Sequence, residues 1–148
     1  MTSLPIVLDT NVVLDLLLFD DPATPPLQQA LQDRRLQWIA TPVMREELLR
    51  VLAYPHILAR MAYYGLSAEA ILAAFDRQVH LVDVAPKAPM NCKDPDDQKF
   101  IDLALAHQAQ LLSKDHAVLK LRKRLRAQGV PVARTFEALE LTLCEIAT

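Results

Sequence analysis

The short apolar run Ile6-Val7-Leu8, broken abruptly by Asp9-Thr10-Asn11, constrains this chain more than any other stretch. Three consecutive apolar residues, two of them β-branched, offer solvent no polar face. They read as a strand buried on both sides, the kind found in parallel sheets covered by helices. Asp9 then stands at the strand's carboxyl end, and Asn11 or Thr10 caps a helix whose apolar face is Val12, Leu16 and Phe19. In open parallel sheets, ligands bind in the crevice beyond those carboxyl ends. Asp9 is therefore either a helix cap or a functional acid, and the rest of the chain must decide.

Composition narrows the class. A length of 148 residues suffices for one domain with a sizeable core, and 52% hydrophobic with 23% charged residues describes an ordinary globular chain. Cys92 and Cys144 lie far apart without CxxC spacing, which excludes a disulfide scaffold and a cysteine zinc site. Asp9 and Asp15 interrupt the apolar N-terminal stretch, and no basic segment precedes it, so no signal peptide is expected. No run of 18 apolar residues offers a membrane span. A reducing, cytoplasmic setting is the expectation. The net charge of −2 gives no global attraction to nucleic acid, so any such affinity must come from a local patch.

Taken in order, the chain alternates short strands with helices. Residues 20–26 form a proline-punctuated loop, and Pro25 or Pro26 starts a helix that ends near Arg34-Arg35. Gln37–Ala40 is a second strand, and Thr41-Pro42 opens a helix as cap and first-turn proline. At 100° per residue, Met44, Leu48, Val51 and Leu52 form its inner stripe. Glu47 lies on the edge of that stripe, and Glu46 faces solvent. Tyr54-Pro55 ends this helix, a short one runs to about Tyr63, and Ser67 caps the next, with Ala70, Ile71, Ala74 and Phe75 on one face. His80–Val84 alternates like an edge strand, and Pro86–Pro89 is a linker. Gln110–Ser113 is a further strand, and Val130–Ala133 is a last edge strand before a helix capped by Thr135. No repeat or internal boundary interrupts the pattern, and a single domain over 1–148 is expected. Such alternation predicts an α/β fold with a mostly parallel sheet covered on both sides.

The second acidic stretch, Lys93 to Ala106, carries more chemistry than a helix start needs. Asp94-Pro95 is a cap and first-turn proline, and Asp96 suits the first turn. Asp97 instead falls within the buried stripe of Phe100, Ile101, Ala104 and Leu105, where an acid is costly unless paired or bound to a cation. Asp102 points away to solvent, and His107 lies on the flank in a structural role. The strand-aspartate-helix order then recurs at Ser113-Lys114-Asp115. If Asp9, Glu47, Asp97 and Asp115 meet at the carboxyl edge of the sheet, their mutual repulsion raises their pKa values. A hard divalent cation removes that repulsion, and an oxygen-only donor set selects Mg²⁺ or Mn²⁺. Waters kept by such an ion are nucleophiles for a phosphodiester. The helix expected over His116–Gln128 carries Lys120, Arg122, Lys123, Arg124 and Arg126; residues 114–126 hold six basic residues and one acid, a net +5. Such a run is either a solvated face or a phosphate-contacting ridge.

The segments Asp9-Thr10-Asn11-Val12, Glu47–Leu52, Asp94-Pro-Asp-Asp97-Gln-Lys-Phe100 and Leu112-Ser113-Lys114-Asp115 resemble, in order and spacing, the PIN-domain ribonucleases. The likeness is closest to the subgroup of toxin components of toxin–antitoxin modules (VapC-like). It implies a three-layer α/β/α sandwich, Mg²⁺- or Mn²⁺-dependent RNA cleavage leaving a 5′-phosphate and a 3′-hydroxyl, a homodimer, and an inhibiting antitoxin protein. The family's acids fall on Asp9, Glu47, Asp97 and Asp115, with Asp94 a further candidate. Asp9 and Asp97 would be the principal metal ligands. Glu47 and Asp115 would complete the cluster, bind a second ion or orient the attacking water. Asn11 and Ser113 would position ligands or the scissile phosphate, and Lys120, Lys123, Arg124 and Arg126 would contact phosphates. Two other readings share these residues. One is a non-catalytic acidic pocket or RNA-binding module. The other is an aspartyl-nucleophile phosphatase, against which Asn11 stands where a second aspartate is needed.

Overall fold

The computed structural model describes residues 3–147, with side chains through Cys144. Strand β1 (Leu4–Leu8) ends in three consecutive buried residues, as its apolar run requires. It leads into helix α1 (Thr10–Leu14), which continues as a π-helical stretch over Asp15–Phe19. Then follow α2 (Pro25–Gln32), β2 (Leu36–Ala40), α3 (Pro42–Leu52), α4 (Pro55–Tyr64), α5 (Ala68–Gln78) and β3 (His80–Leu81). After a long connection come a 3₁₀ turn over Pro95–Asp97, α6 (Gln98–His107), β4 (Gln110–Leu112), α7 (His116–Leu119), α8 (Arg122–Ala127), β5 (Val132–Ala133) and α9 (Phe136–Ala147).

Among the described residues all four strand pairings are parallel, and the sheet runs β3-β2-β1-β4-β5. The chain moves one way from β1 through β2 to β3, then returns to β4 and continues the other way to β5. Right-handed crossovers put the helices of the first leg on one face and α6 on the other, giving the three-layer α/β/α sandwich. α2 packs against α9, α3 and α5 pack together, and α6 lies over β1 and β4. The order reverses between β1 and β4, so their carboxyl ends flank the crevice where such sheets bind ligands. Leu8 pairs with Leu112 at that edge.

Several local readings change. The cap of α1 is Asp9, not Thr10 or Asn11: its backbone is extended and its carboxylate accepts from the Val12 N–H. α2 begins at Pro25 and ends two residues before Arg34, which takes a left-handed φ of 59°. The third strand pairs only at His80 and Leu81, because β2 ends at Ala40 and offers no further partner. Ala70 is exposed, and α5 instead buries Ile71 and Phe75, the latter edge-on to Trp38 with centroids 5.2 Å apart. The basic helix is not continuous. Leu119 and Leu125, six residues apart, would point about 120° away from each other on one straight helix. A break at Lys120-Leu121 lets both reach the core.

Asp102 is also misread from helical facing alone. Its Oδ1 accepts from the Ala88 N–H and from Gln98 Nε2, both at 2.8 Å. Gln98 also donates to the Met90 carbonyl and accepts from the Cys92 N–H. These two α6 side chains strap the preceding connection onto the helix and so fix where Asp94 emerges.

Candidate active site

Asp9 is 2% exposed and fully engaged. Its Oδ1 takes the Val12 N–H at 2.9 Å, while Oδ2 takes the Ser113 hydroxyl at 2.5 Å and the Lys114 N–H at 3.3 Å. Burial raises its pKa above the ordinary carboxylate value, the three hydrogen bonds oppose that rise, and the nearby Asp115 charge adds to it. Ser113, wholly buried, also accepts from the Asp115 N–H at 3.1 Å. Of the two roles expected of Ser113, this geometry suits the positioning of an acid; burial keeps its hydroxyl from a ligand in the crevice. Asn11 is exposed at the crevice rim.

Three other carboxylates converge beside Asp9. Asp94, Asp97 and Asp115 each bring an oxygen to within 4.8 Å of the others. Two of them are also caps: Asp94 accepts from the Asp96 N–H at 3.0 Å, and Asp115 from the Ala117 N–H at 2.8 Å. In each, the cap hydrogen bond falls on Oδ1 and does not keep the carboxylate from the cluster. Asp97 caps nothing, and its Oδ2 is buried without a hydrogen-bond partner among the described residues. Its pKa is pushed up to about 8, first by burial, then by its contact with Asp115 and by the charges of Asp115, Asp94 and Asp9. That contact is a hydrogen bond only when one of the two carboxyls holds a proton. Without a cation, Asp97 keeps a proton that an isolated aspartate would have lost.

Glu47 faces the same crevice from α3 but is not part of that three-oxygen group. A hollow of about 300 Å³ is lined by Asp9, Thr10, Asn11, Glu47, Asp97 and neighbours including Arg50. One carboxylate oxygen of Glu47 accepts from the Thr10 hydroxyl; the other is ion-paired with Lys99. Lys99 also donates to the Asp96 carbonyl and lies 4.9 Å from the Phe100 ring centre. Glu46 is exposed, away from the crevice.

The basic segment divides at the α7–α8 break. His116, Lys120, Arg122, Lys123 and Arg134 line a depression of about 460 Å³ with Leu119 at its floor. It starts one residue beyond Asp115. Arg124 and Arg126 do not line it, and Lys114 is paired with Asp15 at 2.5 Å. Two of these residues escape sequence reasoning for different reasons. Arg134 directly follows β5, so the carboxyl-end rule applied to every strand would have found it. Lys99 meets a glutamate 52 positions earlier, which no local pattern announces.

Comparison with known proteins bears on the fold and the family. No curated protein matches the chain. Among solved structures, a chain in the crystal structure of VapBC2 from Rickettsia felis bound to a DNA fragment from their promoter superposes with a TM-score of 0.58. That match covers 87% of this chain and 97% of the other at 12% identity, so it speaks to fold. A family profile described as PIN domain matches residues 5–117, from the first strand to the start of α7 and through every acid of the crevice. The chain belongs to the PIN domain family.

Proposed function

We propose that this chain is a Mg²⁺- or Mn²⁺-dependent endoribonuclease. The observation that carries the reading is the convergence of Asp94, Asp97 and Asp115 within 4.8 Å at the strand-order reversal, with one Asp97 oxygen buried and unpartnered. An orphaned carboxylate oxygen among oxygen-only donors fits a hard divalent cation. Asp94, Asp97 and Asp115 would hold it, and Asp9 lies immediately behind them. When bound, such an ion acidifies water and polarises a phosphoryl oxygen.

The residues themselves supply position and charge. Asp9, fixed by Ser113 and two backbone amides, sets the separation of β1 and β4 at the site and keeps the field there negative. Asp97 would give up its retained proton in order to serve as a ligand. Lys120, Lys123 and their neighbours in the depression attract the backbone of RNA, and Asn11 offers an amide at the opposite rim. The Asp9 carboxylate has both oxygens engaged and little exposure, which speaks against its acting as a phosphatase nucleophile. The likeness to a VapBC2 chain supports a role as the toxin of a toxin–antitoxin module. Exposed Leu49 on α3, Tyr54 in the turn between, and Leu58 and Tyr63 on α4 give an antitoxin or a second copy apolar surface to cover. No helix among the described residues is long and apolar enough to cross a membrane, and we place the activity in the cytoplasm.

The test is incubation of single-stranded RNA with the protein in Mn²⁺, Mg²⁺ or chelator, followed by end-group analysis. Cleavage that needs the ion, yields 5′-phosphates and falls by at least about 10²-fold in Asp97→Asn is expected. RNA that binds but stays intact would favour the non-catalytic reading instead.

A further inference from the structure

We propose that Lys99 is a built-in cation for Glu47, so that the crevice takes one divalent ion rather than two. The inference rests on reading Asp94, Asp97 and Asp115 as the metal site. The acids of the crevice divide by how well they are satisfied. Asp97 keeps a buried oxygen with no partner among the described residues. Glu47 has none to spare: the Thr10 hydroxyl serves one oxygen and the Lys99 ammonium the other.

Lys99 is not a loose surface partner. Its ammonium is held by a carboxylate, by the Asp96 carbonyl and by the face of Phe100, with its side chain 22% exposed and that of Glu47 16%. The Arg45–Asp76 pair elsewhere is more exposed on both sides, at 36% and 45%. A second divalent ion at Glu47, in the 300 Å³ hollow that this glutamate lines, would have to displace an ammonium anchored at three points or share one carboxylate with it. Like charges at that range repel, so the ammonium excludes the ion while neutralising the glutamate. Lys99 is thus a positioning residue: it turns Glu47 towards the crevice without making it a ligand.

Counting Mn²⁺ bound to the folded protein, by the free-ion resonance signal, tests this without reference to activity. The unaltered protein should bind one Mn²⁺, and Lys99→Arg should also bind one. Lys99→Gln, checked for fold by circular dichroism, should bind two, and adding Glu47→Gln should return it to one. Glu47→Gln alone should keep the single ion, which tests the inference even where Lys99→Gln fails to fold. Two ions on the unaltered protein, one on folded Lys99→Gln, or loss of the ion from Glu47→Gln would each overturn the inference. No bound Mn²⁺ on the unaltered protein would instead remove the metal-site reading on which it stands.

Discussion

Asp97 is the residue at which burial and charge meet. Its unfolded value is near 3.8, and in the folded protein it stands at about 8. The folded state therefore holds more protons than the unfolded state between those values, and metal-free stability falls as pH rises through that window. The metal-free protein should melt higher at pH 5 than at pH 8. Asp97→Asn, which cannot ionise, should flatten that dependence and raise the pH 8 melting temperature by about 3 °C, roughly 1 kcal/mol after discounting for solvent screening. Calorimetry across pH checks it; a variant no more stable at pH 8 would show that Asp97 carries no strain. The facing of Asp97 was legible because an acid in an apolar helical stripe is anomalous by period alone. Asp9, Asp94 and Asp115 were harder, since cap and functional acid look like competing readings. They do not compete: in each, the cap hydrogen bond falls on Oδ1 and does not occupy the whole carboxylate. Asp102 was misjudged because its partner Ala88 lies in a linker, fourteen residues away, that has no periodicity to read.

Among the elements, the broken α7–α8 segment departs furthest from its sequence pattern. Five basic residues in a row of seven suggest one ridge, but the core demands of Leu119 and Leu125 split it and bring in Arg134 from beyond β5. The two halves should then differ in function. Replacing Lys123 and Arg134 with alanine should lower the salt slope of single-stranded RNA binding by about 1.4, at roughly 0.7 per phosphate contact. Replacing Arg124 and Arg126 should change it little and leave stability within about 0.5 kcal/mol. Affinities measured at several salt concentrations, with Ca²⁺ to suppress turnover, separate the halves; equal slopes for both pairs would remove the depression as a phosphate seat. The caps and prolines at Thr41-Pro42, Tyr54-Pro55 and Ser67 were legible because each uses a local backbone rule. Strand ends were not: β3 stops at Leu81 because its neighbour stops, a fact of pairing and not of sequence.

For the whole molecule, the strand order decides where sequence-distant acids can meet. Short apolar runs revealed a parallel sheet, but not that the chain returns past β2 to lay β4 beside β1. That return puts Asp9 and Asp115 on adjacent strand ends, and α6, lying over both strands, brings Asp97 to them. The cluster therefore joins three elements whose mutual packing is the centre of the fold: Ile6, Val7, Ile101, Ala104 and Leu111 are all fully buried there. A cation bound across those elements is bound only by the folded state, so it must stabilise the whole cooperative unit. Mn²⁺ at a hundredfold excess over its dissociation constant should add about 2.7 kcal/mol, or roughly 5–10 °C in melting temperature. Because the proton on Asp97 must leave before its carboxylate can hold an ion, the increment should shrink from pH 8 to pH 5. Asp97→Asn should lose most of it at both values. Melting curves at the two pH values, with and without saturating Mn²⁺, measure all three effects together. An equal shift at pH 5 and pH 8 would mean that the ion binds away from Asp97. No shift at either pH would leave the acids a strained cluster without the ligand their geometry fits.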